Sequence, residues 1–165
     1  SFTGVQTCAL PISMCGIVPS HGEPYTCRMK NCLFCSIAAR EVPADIIFED
    51  EHTLAFLDIH PVNPGHALII PKAHATNIFD IGTESWGAVA ETTRRIAIAL
   101  EQSLECDGVN LLMNNREHAG QVIDHPHMHV IPRFKEDGLK QWPHKAYQDG
   151  EAATVAEKIR TQVHK

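Results

Sequence analysis

Three histidines alternate in the segment Asp124-His125-Pro126-His127-Met128-His129-Val130-Ile131-Pro132. In an extended chain, residues two apart share a face, with Cα atoms roughly 6.6 Å apart at each step. That spacing predicts a strand on which His125, His127 and His129 line one surface while Met128 and Val130 are buried on the other. A neutral imidazole is a competent nucleophile and proton donor near neutral pH, once its second ring nitrogen is anchored to fix the tautomer. Far upstream, Cys32 and Cys35 form the one close Cys-x-x-Cys pair among six cysteines. Such a pair binds metal or is redox-active more often than it forms a structural disulfide in a reducing compartment. No thioredoxin-like βαβ pattern surrounds it, which weakens the redox reading.

The elements that must carry these residues can be read from periodicity. Leu33, Phe34, Ile37 and Ala38 fall on one helical face, predicting a short helix over 32–40 that Pro43 ends. Ile46 to Phe48 and Thr53 to Leu57 read as two strands of a hairpin around the acidic turn Glu49 to His52. The apolar run His66 to Ile70 reads as a buried strand closed by Pro71. A long helix is predicted from a Thr83 cap, with Trp86, Val89, Ile96, Leu100 and Leu104 at helical steps and Gly108 as its stop. Val109 to Met113 and Met128 to Ile131 give two further strands, and Glu151 to Val163 a charged amphipathic helix. Strands grouped around one long helix, without βαβ alternation, predict an α+β fold with an antiparallel sheet.

The chain has 165 residues, 44% of them hydrophobic and 21% charged, which suits one domain with its own core. Residues 1–13 resemble a translated sequencing-adapter remnant and are set aside. Residues 14–30 are rich in Gly, Pro and polar types and read as loop, leaving 31–165 as the folded domain. A net charge of -6 with no Lys/Arg block argues against a nucleic-acid groove but permits a mononucleotide. No apolar run approaches the ~20 residues of a membrane span, and the expected location is the cytoplasm.

His125-Pro126-His127-Met128-His129 followed by two apolar residues resembles the signature of the histidine triad (HIT) family. The resemblance runs from Asn31 to Trp142 and takes in Cys32-Leu33-Phe34-Cys35, Ala55 to Ile59, Pro64-Gly65-His66, Ile70 to His74, Asn114 and Gly120-Gln121. It implies a five-stranded antiparallel sheet with two main helices, and a homodimer whose sheets are continuous and whose interface includes the long helix from Glu84 to Glu105. It implies a nucleotide hydrolase or transferase acting at the α-phosphate of a purine nucleotide or dinucleotide. His127 would be the nucleophile, His129 would donate to a phosphate oxygen, and the His125 carbonyl would orient His127. His66 would support the triad, Asn114 and Gln121 would donate to phosphate oxygens, and Asp58 would bind the ribose hydroxyls. Leu33, Phe34, Ile37, Phe56, Ile59 and Leu68 would form the base slot, with plain core packing an open alternative, above all for Ile37 and Leu68.

Cys32, Cys35, His74 and His125 supply two sulfurs and two imidazoles, a closed tetrahedral set suited to structural zinc, as in zinc-bearing relatives of the family. Two competing functions remain at this level. Uridylyl transferases related to the family carry Gln at the position of His129, so His129 favours the hydrolases; a nucleotide-binding or zinc-stabilised scaffold is the other. One departure stands out: Val122 occupies a position where phosphoramidase-like members often carry Ser or Thr.

Overall fold

A computed structural model describes residues 32–163, so the expectations for residues 1–31 lie outside the described residues. The elements run α1 (Leu33–Ala38), β1 (Ile46–Glu49), β2 (Thr53–Leu57), β3 (Ala67–Pro71), α2 (Thr83–Leu104), β4 (Gly108–Leu112), β5 (Met128–Arg133) and α3 (Glu151–Val163). The five strands form one antiparallel sheet in the order β1-β2-β3-β5-β4. This is the α+β architecture with a five-stranded antiparallel sheet that the sequence predicts.

Alternation along the strands divides the core in two. Leu54 and Phe56 of β2 and Leu68 and Ile70 of β3 bury against Phe34 and Ile37 of α1 on one face. Ala55, Ala67, Ile69 and Val130 bury against Val89, Ile96 and Leu100 of α2 on the other. The central strands are therefore covered on both sides, which is why they read as unbroken apolar runs rather than as polar alternation. Leu68 pairs directly with His129, and cross-strand partners share a face. His129 thus lies on the α1 side of the sheet.

Several boundaries move for physical reasons. Pro71 does not close β3 but is its last residue, paired with Thr53. Thr83 is the first helical residue of α2 rather than its cap; Gly82 holds the cap position with no side-chain hydrogen bond. The helix stops at Glu105, which adopts a left-handed conformation (φ 51°) while its N–H bonds the Glu101 carbonyl, so Gly108 is free to begin β4. The hairpin turn between β1 and β2 is held by Asp50, whose Oδ1 accepts from the His52 and Thr53 amides and the Thr53 hydroxyl at 2.9, 2.7 and 2.9 Å. β5 begins only at Met128, so of the three alternating histidines only His129 belongs to a strand. The described residues up to Lys135 form one compact unit, and those from Glu136 form a second in which α3 has no buried residue.

Candidate active site and metal centre

Backbone groups set the protonation of the histidines. His127 is 6% exposed, and its Nδ1 lies 2.8 Å from the His125 carbonyl oxygen. A carbonyl can only accept, so Nδ1 carries the hydrogen and Nε2 presents a lone pair. Burial lowers the His127 pKa, against an opposing pull from that hydrogen bond and from Asp58, so the ring is neutral near pH 7.

A second relay fixes His129. The Val62 amide donates to Nδ1 of His66 at 3.2 Å, so the His66 hydrogen sits on Nε2. That Nε2 is 2.9 Å from Nδ1 of His129, which must accept, leaving the His129 hydrogen on its Nε2. Burial, reinforced by His127 and His66 as neighbours, pushes the His129 pKa down to about 4. The Asp58 carboxylate lies 3.6 Å from Nδ1 of His66, and its other oxygen accepts from the His60 amide at 2.8 Å. The rings of His66, His129 and His127 follow one another at centroid spacings of 5.1 and 5.0 Å. The site therefore presents one free imidazole lone pair beside one imidazole N–H, a nucleophile and a hydrogen-bond donor in adjacent places.

His125 leaves this row. Its Nε2 donates to the Pro71 carbonyl at 2.8 Å, so Nδ1 carries the lone pair. Around that nitrogen stand Cys32 Sγ at 3.4 Å, Cys35 Sγ at 3.6 Å and His74 Nδ1 at 3.3 Å, while Cys35 Sγ to His74 Nδ1 closes a further edge of 3.3 Å. Zinc bonds of about 2.3 Å to sulfur and about 2.05 Å to nitrogen give tetrahedral edges of about 3.6 Å for S–N and about 3.3 Å for N–N. The four donors match a tetrahedron of that size, and neither cysteine is tied up in a disulfide among the described residues. Burial pushes the His125 pKa down to about 4, which keeps the ring a neutral ligand. The residues present fit a zinc ion.

A HIT domain profile matches residues 39–136. The chain belongs to the HIT domain family. Among its relatives are Protein hit of Bacillus subtilis (strain 168), 46% identical over 67% of this chain and 77% of the relative. Another is the adenosine 5'-monophosphoramidase hnt1 of Schizosaccharomyces pombe, 33% identical over 81% of this chain and 98% of the relative. A crystal structure of a HIT family member from Bacillus subtilis superposes with a TM-score of 0.75 at 38% identity, covering 80% of this chain and 96% of that one. A zinc-bound histidine triad protein from Mycobacterium smegmatis superposes at 0.65 with 33% identity, over 82% and 98% of the two chains. Within this HIT domain, the matched region contains His74 and His125 but begins after Cys32, at the N-cap of α1, and Cys35, within α1.

The apolar residues expected to form a base slot are separated. Phe34, Ile37, Phe56 and Leu68 are 3–6% exposed and pack into the core beneath α1, whereas Leu33 and Ile59 are 44% and 81% exposed. Phe34 meets His127 and His125 edge-on at 5.1 and 5.9 Å, forming the wall between the candidate nucleophile and the metal cluster. Gln121 departs from the expectation that it donates to phosphate. Its Nε2 donates to the Thr76 and Ile123 carbonyls at 2.6 and 2.9 Å, and its Oε1 accepts from the Arg116 amide at 2.6 Å. Both amide hydrogens are engaged, so Gln121 shapes the loop around His127. Asn114 makes only a long contact, 3.5 Å to the Gly120 carbonyl, and keeps donor capacity.

Some contributors carried no distinctive sequence signal. The Val62 amide and the Pro71 carbonyl act through backbone atoms that every residue type could supply. Asn115, whose Oδ1 accepts from the Ile78 amide at 2.8 Å, is signalled only by the Asn-Asn pair, because its partner is 37 positions away.

Proposed function

We propose that this HIT protein hydrolyses purine nucleotide derivatives at the α-phosphate. The observation that carries the reading is the Nδ1 hydrogen bond from His127 to the His125 carbonyl, which leaves Nε2 as an anchored nucleophile next to the His129 N–H. In the first step the Nε2 lone pair forms a P–N bond while the bond to the leaving group breaks, its electron pair departing with that group. The resulting imidazolium keeps its Nδ1–H on the His125 carbonyl, and the His129 N–H stabilises charge on a phosphate oxygen. Water then attacks phosphorus, the P–N bond breaks back to the His127 lone pair, and the water proton is released with the nucleoside monophosphate. Asp58 would accept from the ribose hydroxyls, Asn114 would donate to phosphate, and Leu33 and Ile59 are the apolar surfaces available to a base.

The same reading includes a structural zinc on Cys32, Cys35, His74 and His125, supported by the donor geometry and by the zinc-bound relative. When bound, the metal would supply a cross-link between α1, the segment after β3 and the segment before β5; it has no open position for chemistry. It also includes a homodimer, supported by β4 standing at a sheet edge with Leu111 54% exposed. No helix among the described residues is long and apolar enough to cross a membrane, which is compatible with a cytoplasmic location.

The experiment is a substrate panel measuring AMP release from adenosine phosphoramidate and from diadenosine polyphosphates, with His127→Ala alongside. Turnover by the wild type and its loss in His127→Ala, with nucleotide affinity held within about tenfold, is the expected result. A near-normal kcat in the variant would overturn the mechanism; binding without turnover in the wild type would favour a scaffold.

A further inference from the structure

Arg116 adopts φ 71° and ψ 162°, a backbone region essentially confined to glycine. A conformation that disfavours every side chain nevertheless carries one of the largest. The guanidinium lies 4.5 Å from the centroid of the Phe79 ring, within cation–π distance, and Phe79 is 68% exposed. Two side-chain braces hold the loops bearing this pair together. Gln121 joins the Arg116 amide to the Thr76 carbonyl, and Asn115 receives the Ile78 amide. Among the described residues no carboxylate lies within ion-pair distance of Arg116. The outcome is a cation set on an aromatic platform, positioned by hydrogen-bonded loops and open to solvent.

Its place follows from strand register. Leu112 at the end of β4 pairs with His129, and the strands are antiparallel, so the chain continuing through Asn114 toward Arg116 runs beside the segment leading back from His129 through His127. Asp58 and His66 lie at the other end of the histidine row, where β2 ends and β3 begins. A nucleotide with its ribose at Asp58 and its α-phosphate at His127 would extend its leaving group away from Asp58, toward the loop carrying Arg116. A guanidinium there matches phosphate oxygens in charge and in the planar geometry of paired donors.

We infer that Arg116, held on Phe79, is a binding residue for an anionic phosphate chain in the leaving group, and so favours nucleoside polyphosphates over substrates that release an uncharged amine. The inference rests on the proposed α-phosphate hydrolysis and extends it to the leaving-group side. Arg116 makes no bond to the reacting atom; it binds what departs.

The test compares kcat/KM for diadenosine triphosphate with kcat/KM for adenosine 5'-phosphoramidate in wild type, Arg116→Gly and Phe79→Ala. Glycine suits the backbone conformation, so Arg116→Gly retains the loop. The ratio of the two constants should fall about 10- to 100-fold in Arg116→Gly, the value of a charge-assisted hydrogen bond, and by less in Phe79→Ala. An unchanged ratio, or an equal loss on both substrates, overturns the inference. Calorimetric binding of inorganic tripolyphosphate to the same proteins provides a readout independent of turnover. If the wild type turns over neither nucleotide, the hydrolase reading fails; weaker tripolyphosphate binding by Arg116→Gly would still support the subsite, and equal binding would overturn it.

Discussion

Nε2 of His66 lies 2.9 Å from Nδ1 of His129, and the Val62 amide on the far side of His66 makes that nitrogen the donor. The tautomer of His129, and with it the Nε2 hydrogen that the proposed mechanism aims at a phosphate oxygen, is therefore set two links away by a backbone amide. His66 is a positioning residue in this arrangement. His66→Ala should lower kcat about tenfold or more with a smaller change in KM, because the donor loses its fixed direction. His66→Asn, whose amide can donate to Nδ1 of His129, should recover part of the loss. Equal kcat in wild type and His66→Ala would show that the relay is dispensable.

The metal centre predicts about one zinc per chain. Metal analysis of the purified protein measures it directly. Cys35→Ser should lower zinc content and the thermal midpoint together, since the proposed ion would tie α1 to two segments that are distant in the chain. A metal-free protein with both thiols titratable and an unchanged midpoint would contradict the site.

Asp50 links stability to pH at the turn between β1 and β2. Its pKa is lowered from 3.8: burial pushes it up, but hydrogen bonds from Thr53 and His52 outweigh that and favour the charged form. A carboxyl with a depressed folded pKa stabilises the fold above its unfolded pKa, and that stabilisation is lost as pH falls through the folded value. Denaturant midpoints of wild type should therefore decline below pH 3.8 more steeply than those of Asp50→Ala, which should be less stable at pH 7. Parallel pH profiles would show that the turn does not depend on the charge.

Val122 is 88% exposed and precedes the segment leading to His127. A valine cannot relay a proton, so a basic alkylamine should depart more slowly than an activated aryl or polyphosphate group. Val122→Ser should raise kcat/KM selectively on an alkyl phosphoramidate, by about one to two decades at most. If wild type already handles the amine as well as an activated adenylate ester, Val122 is not the determinant.

Light scattering at micromolar concentration should give the mass of a dimer. Leu111→Lys, at the exposed sheet edge, should shift the equilibrium toward monomer by placing charge on the proposed interface. A wild-type protein that is fully active as a stable monomer would exclude the assembly.

By itself the sequence determined the strands, the long helix, and the residue types available for chemistry. Local periodicity encodes which face each residue takes: Leu54 and Phe56 alternate with Ala55, and the two sets enter opposite cores. The family signature likewise sits in contiguous residues, from His125 to Ile131. Tertiary structure alone decided how those residues divide. His125 turns to Cys32, 93 positions away, while His129 meets His66, because β5 starts at Met128 and the preceding residues are not held to strand alternation. The amide of Gln121 is drawn to the Thr76 carbonyl 45 positions upstream, and four of six apolar residues expected at a base slot pack in the core. The proton positions follow from the Val62 amide and the Pro71 and His125 carbonyls. Those groups are chemically the same at almost every position of any chain, so only the folded backbone can specify which imidazole nitrogen each one meets.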